Sequence, residues 1–164
     1  MRTVVAVVLS AALGLVLQST ALHAIPGGTA VPDVLLILCV YLGLRRHSVS
    51  GALGAFVLGY VQDSFSGTAV GLNAAAMCVV YLTIYLTSRR LWVDNLISRI
   101  VVVFLAAVIK IVVVTVLSMI FISWPTLSGN MLWMLALQAT FTAALGPLIL
   151  RLVSGAERAA PQED

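Results

Sequence analysis

The sequence has very little charge. Only 9% of its residues are Asp, Glu, Lys or Arg, while 62% are hydrophobic. A soluble domain carries roughly 25% charged residues, so this chain has too few to cover a surface in water. We therefore interpret it as an integral membrane protein with almost no soluble domain. A spanning helix needs ~20 residues, so the chain has room for about six helices in one compact unit.

Residues that perform chemistry are equally scarce. Cys39 and Cys78 both lie in apolar runs and belong to no CxxC or Cys/His cluster that could hold zinc. No GxSxG nucleophile elbow and no phosphate-binding glycine loop occurs. There is also no basic stripe that could follow the phosphates of a nucleic acid. The sequence thus predicts no catalytic residue, no metal site, no cofactor and no nucleic-acid partner.

Apolar runs separated by short polar turns predict six transmembrane helices. The first run follows Arg2, as in a signal peptide, but it is long enough to span and lacks a small residue at the cleavage position. We interpret it as an uncleaved first helix. The helices form a single domain, residues 1–153, and residues 154–164 are predicted to be a disordered cytoplasmic tail. The predicted helices cover residues 3–22, 32–44, 49–63, 69–88, 98–122 and 131–152.

The basic residues predict the orientation. If the N-terminus is cytoplasmic, eight of the nine Lys and Arg residues fall at the cytoplasmic ends of the helices, and the ninth, Lys110, lies within the fifth helix. Arg and Lys in short loops mark the cytoplasmic side. The expected fold is an all-α bundle of six transmembrane helices with both termini in the cytoplasm.

The second and third predicted helices are short. They have about 13 and 15 residues, or roughly 20 and 22 Å, against a hydrocarbon core of ~30 Å. They either thin the bilayer or form a re-entrant hairpin. The hairpin would bury Arg45 and Arg46 at a cost of at least ~2.5 kcal/mol each, so we favour short spans packed inside the bundle.

A stripe of small residues follows the third predicted helix. Gly51, Ala55 and Gly59 recur every four residues and share one face. Small side chains allow the backbone of another helix to approach closely. We expect this face either to pack within the bundle or to receive a helix of a partner protein.

Asp33 and Asp63 are the only acidic residues on the predicted outer side. Asp33 is expected to cap the second helix, and Asp63 to accept hydrogen bonds from a turn at residues 64–68. The alternatives are contact with a partner or ligand, and an aspartyl catalytic pair.

Lys110 is the most unusual residue, because it lies near the bilayer midplane. A charge there is costly and usually faces the bundle interior. Asp33, Asp63 and Gln138 are its candidate partners. Lys110 is then a counter-ion for an anionic substrate, a buried switch that a partner protein reorganises, or an internally paired lysine. Four other polar side chains are predicted to form hydrogen bonds between helices: Gln62, Asn73, Gln138 and Thr140.

A longer pattern runs from residue 32 to residue 73. It comprises Pro32-Asp33, the basic pair Arg45-Arg46, Gly51-x-x-Gly54, and Gly59-x-x-x-Asp63-x-x-Ser66-Gly67-x-x-x-Gly71-Leu72-Asn73. This pattern resembles the rod shape-determining protein MreD family. The length and the six-helix layout agree over nearly the whole chain, although the last two helices match only as hydrophobic segments.

The resemblance implies a non-enzymatic component of the bacterial cell-elongation machinery, multi-pass in the inner membrane, that helps to organise peptidoglycan synthesis and cell shape. It implies binding to an MreC-like single-pass scaffold. Through that scaffold the assembly would connect to MreB filaments and to RodA with its penicillin-binding partner. The family is also similar in fold to the S-components of vitamin transporters. The residues expected to form its partner-binding or structural motif are Asp33, Gly51, Ala55, Gly59, Asp63, Gly67, Gly71 and Asn73.

Two other functions are considered. A substrate-binding subunit of a vitamin-type transporter would have a pocket of several hundred Å³, reached by Lys110, Asp33 or Asp63. An intramembrane hydrolase would resemble the lipoprotein signal peptidases, which use two aspartates. The absence of any acidic residue between Asp94 and Glu157 disfavours the hydrolase.

Overall fold

The computed structural model describes residues 32–45, 49–66, 71–88, 96–121 and 129–159, which are almost entirely helical. The helices correspond to the second to sixth helices predicted from the sequence. The predicted first helix at residues 3–22 lies outside the described residues. The described helices are α1 (Val34–Arg45), α2 (Val49–Ser66), α3 (Leu72–Ser88), α4 (Leu96–Phe121) and α5 (Gly129–Ala159).

Two of the described helices are long and apolar enough to cross a membrane, over Ile97–Phe121 in α4 and Trp133–Gly155 in α5. α1 and α3 are apolar but shorter. Most of the α4 span lies on the surface of the bundle, where its Val, Ile and Leu side chains suit contact with lipid. The described part of the fold is therefore all-helical and compatible with a membrane protein, while the six spans and their orientation stay predictions.

α1 is the central helix of the described bundle. Its residues from Leu35 to Gly43 are buried, and it packs against α2, α3, α4 and α5. A helix that is apolar all round is typical of a position enclosed by other helices. Gly43 brings α3 close, because a Cβ at that position would lie 2.9 Å from Ile84 Cγ2.

The shortness of α1 shapes one end of the bundle. Its 12 residues extend about 18 Å. Asp33, just before α1, contacts Lys110 in the middle of α4 and Thr142 in the middle of α5. From Lys110, α4 continues to Phe121, about 16 Å further along its axis. α1 therefore fills only part of the depth of the bundle, and α4 and α5 flank the space beyond its first residue.

Three helix ends differ from the predicted ones by three residues or more. α2 continues to Ser66 rather than ending at residue 63, and the Ser64 hydroxyl donates to the Tyr60 carbonyl at 3.0 Å inside the helix. α3 begins at residue 72 rather than 69, because Gly71 before it has a φ of +105°, which is not helical. α5 continues to Ala159, past the predicted end at residue 152, because its last residues include the good helix formers Ala, Glu and Arg.

Candidate functional site

A buried ion pair joins three of the helices. Lys110 Nζ donates to Asp33 Oδ2, and the two side chains are only 10% and 6% exposed. Lys110 Nζ also donates to Gln62 Oε1 at 2.7 Å. Gln62 Nε2 in turn donates to Asp33 Oδ2 at 3.2 Å. Side chains from α4, from α2 and from the residue before α1 thus close a ring of hydrogen bonds around one pair of opposite charges.

Asp33 is also held through its backbone and its second oxygen. Its Oδ1 accepts the Leu36 N–H at 3.0 Å, which is the helix cap predicted from the sequence. Its N–H donates to Thr142 Oγ1 at 3.0 Å, and the Thr142 hydroxyl donates to the Gln138 carbonyl at 2.7 Å. We call Asp33, Gln62, Lys110 and Thr142 the polar cluster. It links α1, α2, α4 and α5 at one point.

The polar cluster carries no net charge. Burying one charge alone is very costly, whereas a pair with further hydrogen bonds recovers much of that cost. Of the three candidate partners of Lys110, the structure selects Asp33 and adds Gln62. In the described part of the chain, neither Asp63 nor the Gln138 side chain bonds to Lys110. The geometry therefore favours the internally paired lysine among the interpretations considered.

A second buried carboxylate joins α2 to α3. Asp63 is 1% exposed and accepts the N–H groups of Gly71, Asn73 and Ala74 at 2.9, 3.0 and 3.2 Å, as well as Asn73 Nδ2 at 2.9 Å. The first N–H groups of a helix have no partner within it and form its positive end. Asp63 therefore caps α3 from a neighbouring helix. Its donors in the described part of the chain lie past the turn predicted at residues 64–68, because residues 64–66 continue α2; residues 67 and 68 lie outside the described residues.

Gly59 explains how α3 can start so close to α2. A Cβ at this position would lie 2.5 Å from Ala74 Cα and 2.6 Å from the Asn73 carbonyl oxygen. Gly59 and Asp63 are four residues apart and share one face of α2. The glycine admits the backbone of α3, and the carboxylate one turn later binds its N–H groups. The Gly59-x-x-x-Asp63 motif therefore forms a single docking point for α3.

Comparison with known protein families identifies the family of this chain. A model of the rod shape-determining protein MreD family matches residues 1–154, which is nearly the whole chain. The chain belongs to the MreD family. The resemblance drawn from residues 32–73 is thereby confirmed. Comparison with curated proteins and with solved structures gives no match.

The MreD family gives the coarse function. It belongs to the MreBCD shape-determining system and is a structural family rather than one known for enzymatic activity. The protein is thus a membrane-associated, rod shape-determining protein. Gly59 and Asp63 of the docking point and Asp33 of the polar cluster all lie in the part of the sequence that resembles the MreD family.

The small-residue stripe packs inside the bundle of this MreD family member. Ala55 is 0% exposed, and Gly51 and Gly59 are buried. Of the two uses expected for this face, the structure supports packing within the bundle. Gly67 lies outside the described residues.

The remaining polar residues divide into three cases. Asn73 bonds across helices to Asp63, as predicted. Thr140 is exposed and donates to the Ala136 carbonyl of its own helix at 2.8 Å, so the hydrogen bond between helices predicted for it was wrong. Thr142 was missed by the sequence reasoning. Its position one turn after Gln138, on the same face of α5, is the signal that could have found it.

A cavity of about 230 Å³ lies beyond the start of α1. Its base is the polar cluster, and its walls are the parts of α4 and α5 that extend past that cluster. Its volume is below the ~300 to 1,000 Å³ of typical ligand pockets. We call it the α4–α5 cavity, and it is lined by Asp33, Leu36, Gln62, Asn73, Ala107, Lys110, Ile111, Val114, Thr115, Ser118, Leu135, Gln138, Ala139 and Thr142.

Replacement of Asp63 tests the capping of α3. We expect Asp63→Ala to lower the free energy of unfolding by more than about 2 kcal/mol, because it leaves several buried N–H groups without an acceptor. Ser64→Ala is the matched control, since Ser64 is exposed and its one hydrogen bond among the described residues is to Tyr60 within α2. Thermal melting in a mild detergent measures both variants. Equal melting temperatures for the two would contradict the capping role.

Proposed function

We propose that this protein is a non-enzymatic adaptor of the cell-elongation complex in the bacterial inner membrane, where it binds an MreC-like single-pass scaffold. The observation that carries the proposal is the MreD family match over residues 1–154, because that family belongs to the MreBCD system. Through the scaffold, the adaptor contributes to the organisation of RodA, its penicillin-binding partner and MreB. The family match gives no support to the transporter subunit considered as an alternative.

The proposal includes six spans with both termini in the cytoplasm. Leu44, Ser88 and Val102 line one small cavity, so the end of α1, the end of α3 and the start of α4 lie together. Arg45 and Arg99 are close to these residues in the chain, which supports a shared basic end. Basic residues at one end of a helical bundle favour a cytoplasmic position for that end.

The proposed partner surface is the outer face of α2. Leu53, Phe56, Val57 and Tyr60 are 61%, 47%, 55% and 49% exposed, and the Phe56 and Tyr60 rings stack with centroids 6.5 Å apart. Aromatic side chains are enriched in protein interfaces and supply much of their binding energy. The opposite face of α2 holds the small-residue stripe and is occupied by the bundle. The outer face is therefore the part of α2 on which a scaffold helix can pack.

Co-purification of the scaffold tests both the adaptor role and this surface. We expect the scaffold to elute with the tagged wild-type protein from native membranes, and its affinity to fall roughly 30-fold in the double variant Phe56→Ala, Tyr60→Ala. The matched control is Phe104→Ala, Val108→Ala, which truncates two exposed apolar side chains of α4. This control should retain the scaffold.

The outcomes separate the two parts of the proposal. Equal binding by both double variants would show that the α2 surface is wrong while the adaptor role stands. Absence of the scaffold from the wild-type eluate would contradict the adaptor role. Elution with transporter coupling subunits would support the substrate-binding alternative instead.

A further inference from the structure

The α4–α5 cavity has no part in the proposed adaptor role. It exists because α1 begins at the level of Lys110, whereas α4 extends about 16 Å further. Its lining in α4 beyond Lys110 includes Thr115 and Ser118, and its lining in α5 includes Gln138. Polar side chains thus continue from the polar cluster along the walls of the cavity.

The cavity walls contain polar side chains that form no hydrogen bond with other described residues. Among the described residues, every fully buried side-chain nitrogen or oxygen has a partner. The side chains of Thr115, Ser118 and Gln138 are half-buried, line the cavity and make no hydrogen bond within the described part of the chain. The Lys110 ammonium has three donors, of which two are used by Asp33 and Gln62. The third has no acceptor among the described residues and can donate to a group in the cavity.

The charge and the apolar part of the lining define what fits. Lys110 and Asp33 neutralise each other, so a charged molecule placed beside them would be buried without a counter-charge, which is costly. Leu36, Ile111 and Leu135 supply apolar surface between the polar groups. Pockets of this composition, mostly apolar with a few polar groups, are typical of sites for small organic molecules.

We propose that the α4–α5 cavity binds a small uncharged organic molecule. One carbonyl or hydroxyl oxygen of the molecule accepts a hydrogen bond from Lys110. A second polar group bonds to the Gln138 amide, and the apolar remainder packs against α4 and α5. The volume of about 230 Å³ is too small to enclose a whole phospholipid. This site is independent of the adaptor role and of the α2 surface.

Native mass spectrometry of the intact protein, released from its own membranes in a mild detergent, tests the proposal. We expect the wild-type protein to retain an organic molecule much lighter than a phospholipid. Gln138→Leu should weaken this binding about fivefold, the loss expected for one neutral hydrogen bond. The matched control is Thr140→Val, two residues away on α5, because Thr140 is exposed and, in the described part of the chain, bonds within its own helix. It should retain the molecule as the wild type does.

Two results would overturn the proposal: the wild-type protein retains nothing beyond phospholipid, or Gln138→Leu and Thr140→Val retain the molecule equally. The melting temperature shows whether Gln138→Leu folds. If it does not fold, Gln138→Glu, which keeps the shape but adds a charge, takes its place. Gln138→Glu should also lose an uncharged molecule from this site if it folds, and its retention of the molecule at the wild-type level counts against the site.

A thiol introduced into the cavity gives an independent readout of its chemistry. Ser118→Cys is made with Cys78→Ala, because Cys39 is fully buried and Cys78 is not. We expect uncharged iodoacetamide to alkylate this thiol, and the anionic reagent 2-sulfonatoethyl methanethiosulfonate to react more slowly relative to its rate with a free thiol. The proposal would be overturned if neither reagent reacted with the thiol, as expected when a side chain of a partner protein fills the cavity. It would also be overturned if the anionic reagent reacted faster than iodoacetamide, each relative to its rate with a free thiol.

Discussion

Gly59→Leu is expected to lower the free energy of unfolding by at least about 3 kcal/mol, at the upper end of the cost of overpacking. The reason is the kind of atom that the new side chain meets. Even a Cβ would lie 2.5 Å from Ala74 Cα and 2.7 Å from its nitrogen, and backbone atoms cannot move aside as the end of a flexible side chain can. The first turn of α3 would be displaced and would lose its hydrogen bonds to Asp63.

Two other glycines provide controls for this prediction. Gly155→Leu should be nearly neutral, because a Cβ there has no atom within 4 Å. Gly54→Leu should have an intermediate effect, because the Cβ would meet only the Leu42 Cδ1 atom at 3.0 Å. We expect Gly155→Leu to have the highest melting temperature of the three variants, Gly54→Leu an intermediate one and Gly59→Leu the lowest. A melting temperature of Gly59→Leu equal to that of Gly155→Leu would refute close packing of α2 on α3.

The second large effect is expected from Lys110→Met. This change leaves the Asp33 carboxylate buried without its cation, and breaking one side of a buried ion pair typically costs about 3–5 kcal/mol. Adding Asp33→Asn should recover much of that loss, because replacement of both charges is often nearly neutral and Asn is as good a helix cap as Asp. The double variant should therefore be more stable than Lys110→Met alone.

A double-mutant cycle with these variants measures the coupling between the two charges. Melting temperatures in a mild detergent are needed for the wild type, Lys110→Met, Asp33→Asn and the double variant. If the stability losses of the single variants simply add in the double variant, Lys110 and Asp33 are not coupled, which contradicts the ion pair. If Lys110→Met has the same melting temperature as the wild type, the ion pair has no structural role.

The sequence was sufficient to identify the unusual residues but not all of their partners. Scarce charge and long apolar runs predicted an α-helical membrane protein, and one motif indicated the MreD family. Lys110 was recognised as a buried charge because its neighbours in the chain are all apolar. The choice between Asp33 and Asp63 as its partner depends on how far α1 extends along α4, which the spacing of residues in the chain does not specify.

Asp63 was predicted to accept hydrogen bonds, but the sequence did not identify its donors at the start of α3. A turn was expected directly after it, since Ser and Gly follow it in the chain, but the helix continues to Ser66. The donors to Asp63 then come from the start of α3, eight to eleven residues later. The small residues of the stripe predicted a close contact, yet only the packing of the helices identifies α3 as the element that meets Gly59.

In-cell photocrosslinking tests the adaptor role most directly. A photoreactive amino acid replaces Phe56 on the outer face of α2, and Val108, 38% exposed on α4, is the comparison position. The adaptor model predicts that an MreC-like single-pass scaffold is captured from position 56, and from position 108 much less or not at all. Capture of transporter coupling subunits would contradict the adaptor role, and capture of lipid alone at both positions would contradict the α2 surface through which the model places the scaffold.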